Sequence, residues 1–184
     1  VQNRELKINS ARDAMQFGIS LVPEDRKRLG LVLIQSILKN ISLPNLDRFA
    51  SFFRINADEE LAAANQQAKN LAIKAPHMEV AAETLSGGNQ QKVVIAKWLL
   101  SNPKVLILDD PTRGIDVGAK YEIYKLMNEL AEQGVAIIMI SSDLEEVLGM
   151  SDRIMVMCEG RSSPILELAD ATQEHIMKLA TGIA

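Results

Sequence analysis

The apolar positions of this chain fall into unbroken runs and helical stripes. Three runs lack any polar alternation: Val105-Leu106-Ile107-Leu108, Val135-Ala136-Ile137-Ile138-Met139-Ile140 and Ile154-Met155-Val156-Met157-Cys158. Such runs predict parallel strands covered on both faces. Ile19-Ser20-Leu21-Val22 is a weaker fourth strand. Between Val117 and Gln133, the residues Ile123, Leu126, Met127 and Leu130 are spaced i, i+3, i+4 and i+7, one face of a helix. Gly134 stands where a helix C-terminal cap is expected. A shorter helix is predicted from Asp143 to Leu148, with Ser142 as its N-cap. Strands alternating with helices predict an α/β fold with a mostly parallel sheet and right-handed crossovers.

The stretch 31–84 has a different texture. It shows no convincing strand, Pro44 and Pro76 punctuate it, and Leu61, Ala64, Ala68, Leu71 and Ala72 trace a helical stripe between Asp58 and Lys74. It reads as a helical lobe inserted into the α/β core. Four blocks follow: 1–30, partial core; 31–84, helical lobe; 85–160, the main α/β core; and 161–184, a tail. The tail carries a possible strand at Pro164-Ile165-Leu166 and a helix from Thr172 to Ala180.

Composition narrows the chemistry. The chain has 184 residues, 47% hydrophobic and 24% charged, so it has material for a real core. Aromatics are only 4%, which makes that core aliphatic. The single Cys158 permits neither an internal disulfide nor a thiolate cluster, and His77 and His175 have no zinc spacing. The net charge of −4 lacks the basic footprint of a nucleic-acid binder, so no nucleic-acid partner is expected. No apolar run approaches the roughly 20 residues of a membrane span. The chain begins at Val1 rather than Met, and the expectation is a piece of something longer.

In an open α/β sheet, ligands gather beyond the carboxyl ends of the strands. Two such ends are polar here: Asp109-Asp110-Pro111-Thr112 and Ser141-Ser142-Asp143. Adjacent carboxylates after an apolar strand suit Mg2+ and a water held beside a phosphate; equally, they can cap a turn before Pro111. A third feature is Leu85-Ser86-Gly87-Gly88-Asn89-Gln90-Gln91-Lys92, which opens a helix striped by Val93, Ala96 and Leu100. Ser86 can cap that helix, and the glycines leave backbone N–H groups open to an anion at the positive end of the helix dipole. By itself this is also an ordinary glycine-rich helix start.

These features occur together in a fixed order, and the set resembles the ATP-binding-cassette (ABC) ATPases from about Ile19 to Gly160. Leu85 to Gln91 is similar to the family signature motif, Ile107 to Asp110 to the Walker B strand, Thr112 to Asp116 to the D-loop, and Ser141 to Asp143 to the switch segment. Val22 to Lys27, Gly87 to Lys92, Pro111 to Lys120 and Ser141 to Leu148 resemble one branch of the family. That branch is the tandem-cassette ATPases of bacterial monosaccharide importers, and within it the second cassette.

The resemblance implies a partial P-loop NTPase core with an inserted α-helical lobe, using ATP and Mg2+. It implies Asp109 as the metal residue and Asp110 and Ser142 at the catalytic positions. Ser86, Gly87, Gly88, Asn89, Glu24 and Asp116 take the nucleotide-facing positions. It implies as partners the first cassette of the same polypeptide, transmembrane permease subunits and, indirectly, a periplasmic sugar-binding protein. The implied location is the cytoplasmic face of the inner membrane.

A complete cassette also carries Gly-x4-Gly-Lys-[Ser/Thr]. No two of the ten glycines here are five apart, so that motif is absent from these 184 residues and is expected before Val1. Three residues depart from the active pattern. Asp110 replaces the usual Glu and is shorter by about 1.5 Å, when a misplacement of about 1 Å can cost on the order of 100-fold. Ser142 replaces the switch histidine. Glu24 stands at the Q-loop glutamine, where its charge opposes a phosphate unless Mg2+ intervenes. With the signature intact, the expectation is an asymmetric pair: this half donates Ser86, Gly87 and Gly88 to ATP gripped by the partner cassette, and its own site is degenerate.

The remaining signals read as structural. Phe49, Phe52 and Phe53 form the small core of the lobe, with a permease contact as the alternative. Arg26-Lys27-Arg28 is a solvated loop, His77 and His175 are surface residues, and Cys158 is core. Two other functional classes remain: a non-transport ABC ATPase, which would need a coiled coil or basic linker that the chain lacks, and an interaction module without activity of its own.

Overall fold

The computed structural model describes residues 5–51 and 54–182. The chain runs through α1 (Ala11–Gln16), β1 (Ile19–Val22), a π-helical turn (Arg26–Gly30), α2 (Ile37–Ser42), α3 (Leu46–Phe49), β2 (Ala50–Ser51), β3 (Arg54–Ile55), α4 (Ala57–Asn70), α5 (Gly87–Leu99), β4 (Val105–Asp109), α6 (Val117–Glu132) and β5 (Ala136–Ile140). A second compact unit starts at Ser141. It holds α7 (Leu144–Met150), β6 (Arg153–Ile154), β7 (Met157–Cys158), β8 (Arg161–Ser162), β9 (Leu166–Glu167) and α8 (Gln173–Thr181).

In the first unit the sheet is parallel, in the order β1-β4-β5. The register pairs Leu106 with Ser20 and Ile137, and Leu108 with Val22 and Met139. Paired residues share a face, and neighbours along a strand alternate. One face therefore carries Ser20, Val22, Leu106 and Leu108, all buried. The other carries Leu21, Ile138 and Ile140, which are 46%, 51% and 49% exposed. This corrects the expectation that the Val135–Ile140 run is covered on both faces. An unbroken apolar run records that both faces tolerate hydrocarbon, but among the described residues only one of them is covered.

Residues 31–84 hold α2, α3 and α4, and, where no strand was expected, the short antiparallel pair β2–β3, with Ala50 opposite Ile55. Phe52 and Phe53 lie outside the described residues. Phe49 is buried at the end of α3, as a lobe core requires.

Helix α2 begins at Ser36, whose side chain accepts from Lys39 N at 3.2 Å. It packs against α4 and α5. Between α2 and α4 lies a buried carboxylate, Glu60, 1% exposed. It accepts from Lys39 Nζ at 2.8 and 3.1 Å and from Ser42 Oγ at 2.6 Å. Burial alone pushes this carboxyl's pKa up, but the hydrogen bonds from Lys39 and Ser42 and the Lys39 charge overcome it, so the pKa lies below its ordinary 4.5.

A depressed carboxylate contributes stability above its unfolded pKa and loses it as pH falls through the folded one. Glu60→Gln is expected to cost about 1–3 kcal/mol at neutral pH. In urea titrations its deficit should shrink as pH drops below 4.5; a deficit independent of pH would contradict this.

The second unit corrects a further expectation. Residues 154–158 are not one buried parallel strand. They form two short pieces, β6 paired antiparallel with β9 and β7 paired antiparallel with β8. Ile154 and Val156 are buried, while Met155 and Met157 are exposed. Burial alternates even though hydrophobicity does not, because methionine tolerates a solvated face.

The β7–β8 turn is Glu159-Gly160, both at positive φ (46° and 78°), the requirement of a two-residue hairpin turn. Cys158 beside it is half-buried rather than core. The core of this unit is Ile154, Val156, Ala171 and Ile176, with Leu144, Val147 and Leu148 packed on it. The tail strand is Leu166–Glu167, slightly later than the expected Pro164–Leu166. α8 is capped by Thr172. His77 and His175 are exposed.

Candidate functional site

The start of α5 is built from side chain–backbone contacts that the local sequence encodes. Ser86, exposed and extended (φ −60°, ψ 157°), caps the helix and accepts from Asn89 N at 3.5 Å. Asn89 Nδ2 donates to Ser86 Oγ at 3.0 Å, while Asn89 Oδ1 accepts from Lys74 N at 2.8 Å. The Asn89 side chain is thus committed at both ends: it ties the 72–74 bend to the cap and leaves Ser86 at the tip. Behind the tip, residues 90–97 are buried. Lys92 pairs with Glu122 at 2.8 Å and donates to Ala72 O at 3.3 Å, and the hydrogen bond and charge of Lys92 hold the Glu122 pKa below its ordinary value.

The two glycines have packing reasons that sequence reading did not supply. A Cβ on Gly88 would lie 2.6 Å from Ala119 Cβ. Only glycine lets α5 approach the first turn of α6 this closely. A Cβ on Gly87 would lie 2.9 Å from Arg26 Nη2 and 3.3 Å from Gly114 O. The open approach to backbone N–H groups expected from these glycines is therefore joined to a tight fit against two neighbouring segments. By helix geometry the first-turn N–H groups have no intrahelical partner.

At the end of β4, Asp109 is half-buried and Asp110 turns sharply, with φ +42°. Asp110 N donates to Ile140 O at 2.8 Å and Asp110 O accepts from Arg113 N at 3.1 Å. Non-glycine residues rarely take such a φ, so the backbone between the strand and Pro111 is held against its preference. Thr112 is buried. Gly114 turns back at φ +65°, and Asp116 caps α6 by accepting from Ala119 N at 2.9 Å.

Among the described residues no three His, Cys, Asp or Glu side chains gather as a metal site. Asp109 is a single carboxylate at a strand end. That suits one place in a Mg2+ shell whose other places go to phosphate oxygens and water.

Two residues from the segment after β1 reach this loop. Glu24 forms an ion pair with Arg113. Arg26 donates from Nη1 to Arg113 O at 2.7 Å and from Nη2 to Gly114 O at 2.9 Å. This corrects the reading of Arg26 as part of a solvated loop: Lys27 and Arg28 are exposed, Arg26 is not. The structure thus brings Glu24, Arg26, Gly87, Gly88, Arg113, Gly114 and the α6 start into one neighbourhood. Sequence reading gave neither arginine this role, because nothing local marks Arg26, whose partners are carbonyls 87 and 88 residues away, or Arg113, whose partner is the Glu24 carboxylate.

In the second unit, Ser142 precedes the N-cap of α7. The cap is Asp143, which accepts from Glu145 N and Glu146 N at 3.2 and 3.3 Å, and not Ser142 as expected. Ser141 Oγ donates to Glu146 Oε2 and accepts from Asp143 N at 3.1 Å.

The family model described as "ABC transporter" matches residues 2–113. The xylose import ATP-binding protein XylG of Thermoanaerobacter pseudethanolicus is 53% identical over 182 residues, 99% of this chain and 36% of that protein. The ribose import ATP-binding protein RbsA of Bacillus licheniformis is 54% identical over 182 residues, 99% of this chain and 37% of that protein. The chain therefore spans little more than a third of these curated relatives. Among solved structures, cbiO1 of Clostridium perfringens, part of the ABC transporter complex cbiONQ, superposes with a TM-score of 0.70 at 27% identity, over 91% of this chain and 65% of that one. The fold is that of the ABC ATPases, an α/β cassette of the P-loop NTPase type, and with the family match covering more than half its length the chain belongs to the ABC transporter family.

Proposed function

We propose that this chain is the signature-bearing portion of the second cassette of a tandem ATP-binding protein that energises monosaccharide import. The observation that carries the reading is the α5 tip. Ser86 is exposed and caps α5, and the groups around it, Asn89, Arg26 with Gly114, and Ala119, hold the backbone behind it. A rigid helix N-terminus presenting a hydroxyl and amides is suited to clamp a triphosphate held elsewhere. In this reading the P-loop that grips the ATP belongs to the first cassette of the same polypeptide.

Three features support a degenerate site on this chain's own side. Glu24 is engaged by Arg113. Asp110 replaces a longer carboxylate, and Ser142 replaces an imidazole. Asp109 is the residue that would hold Mg2+, whose charge offsets that of the phosphates when it is bound.

The names of the relatives, xylose and ribose import proteins, support the sugar class. No helix among the described residues is long and apolar enough to cross a membrane, so the reading assigns transport itself to permease subunits, with a periplasmic sugar-binding protein acting through them. It places this chain peripherally, on the cytoplasmic face of the inner membrane.

Isothermal titration of ATP into the purified 184-residue chain is expected to show no micromolar binding, against clear binding by the full-length polypeptide. Micromolar affinity in the short chain would contradict the division of labour.

A further inference from the structure

We infer that Arg26 is a positioning residue that locks the loop Thr112–Asp116 to the start of α5, so that the Ser86 tip and this loop are presented as one body. The inference deepens the reading above and rests on it for its consequence in turnover.

The geometry is specific. One guanidinium donates to two successive carbonyls, Arg113 O at 2.7 Å and Gly114 O at 2.9 Å. The planar fork of arginine suits paired oxygens in a way that a lysine ammonium does not. The same Nη2 sits where a Cβ on Gly87 would come within 2.9 Å, so the guanidinium fills the space between α5 and the loop. Arg26 Nε is buried with no hydrogen-bond partner among the described residues.

The parallel link, Glu24 to Arg113, joins two side chains that are 44% and 64% exposed, and such pairs contribute little. The connection between the segment after β1 and the loop therefore depends on Arg26. Asp116 closes the other end of the loop by capping α6, and α6 in turn meets Gly88 through Ala119. The loop is thus held beside α5 at two points: through Arg26, which hydrogen-bonds the loop carbonyls, packs beside Gly87 and lies on the turn whose Gly30 O accepts from Lys97 Nζ of α5 at 2.9 Å, and through Ala119 against Gly88.

The test uses the full-length polypeptide assembled with its permease, carrying Arg26→Ala, Arg26→Lys and, separately, Gly87→Ala. Hydrogen exchange is read at residues 86–89 and 112–116, together with kcat and KM for ATP. For Arg26→Ala, faster exchange in both segments is expected, with kcat lowered about tenfold or more at nearly unchanged KM. Arg26→Lys, able to reach one carbonyl at a time, should fall between. Gly87→Ala, which displaces Nη2, should be less than additive with Arg26→Ala.

Unchanged exchange in either segment overturns the inference. So does a lower melting temperature with kcat intact, which makes Arg26 merely structural, and so does a raised KM with kcat intact, which puts Arg26 on the nucleotide. If Ser86→Arg leaves turnover whole, the signature reading fails, and the exchange data still decide whether Arg26 couples the two segments.

Discussion

Replacing Ser86 with Arg in the full-length polypeptide is expected to cut ATP turnover and coupled transport by at least about 100-fold. Two effects of different size combine. The serine hydroxyl accepts from Asn89 N and Asn89 Nδ2, and losing a cap of this kind costs about 1 kcal/mol. Ser86→Ala isolates that part and should leave a folded protein with modestly reduced activity. The larger effect is steric. Ser86 is exposed at the head of a helix whose next two residues have no room to retreat, being packed on Arg26, Gly114 and Ala119. A long cationic chain there must project outward, into the space the proposal assigns to the partner's triphosphate. ATPase assays and vesicle uptake with Ser86→Ala, Ser86→Thr and Ser86→Arg separate the two, and full turnover in the arginine variant would refute the assignment of the tip.

Asn40→Asp, a change of one amide to one oxygen, is expected to destabilise the fold by about 3–5 kcal/mol. Asn40 is 1% exposed. Its Oδ1 accepts from Val32 N at 2.8 Å, and its Nδ2 faces Val32 O at 3.0 Å, Gln35 O at 3.2 Å and Ser36 O at 3.0 Å. One side chain thus fastens the whole 32–36 bend to α2. A carboxylate keeps the acceptor but turns the donor into a second negative oxygen aimed at three carbonyls. The three carbonyls keep backbone donors in Gln35 N, Ala82 N and Asn40 N, so what changes is the loss of the amide's own donated bonds and the burial of a charge that faces only acceptors.

Asn40→Ala removes the same bonds without adding charge and should be milder. Once protonated, the carboxyl introduced by Asn40→Asp donates again, so that variant should recover some stability relative to wild type as pH falls. Urea unfolding of the three proteins at neutral and acidic pH checks the order. Equal stability of wild type and Asn40→Asp at neutral pH would mean that the bend is held otherwise.

Much of the architecture was legible locally. The β4 run, the α6 stripe ending at Gly134, the Ser86 cap and the Thr172 cap follow from spacing and from short-range hydrogen bonds, which a sequence window contains. Two of the differences share one cause: they concern what lies opposite a residue. Residues 154–158 are apolar throughout, yet β6 and β7 expose every second side chain. The Val135–Ile140 run reads as doubly covered, yet Ile138 and Ile140 face outward. The cap of α7 shifted from Ser142 to Asp143 because both residue types can cap, and only the backbone angles choose between them.

The candidate site divides in the same way. The order of Ser86-Gly87-Gly88, Asp109-Asp110 and Thr112–Asp116 along the chain was enough to identify a family, because those residue types answer to a shared ligand chemistry. The reason Gly88 must be glycine is Ala119, and the partners of Arg26 are the carbonyls of Arg113 and Gly114. By itself the sequence determined most of the secondary elements and the family, and nominated Ser86 to Gly88, Asp109 and Asp110 as candidates to meet phosphate and Mg2+, since each depends on periodicity or on residues a few places apart. Only the tertiary structure decided which of those residues brace one another, because contacts between residues nearly ninety positions apart are fixed by how the helices and the sheet pack.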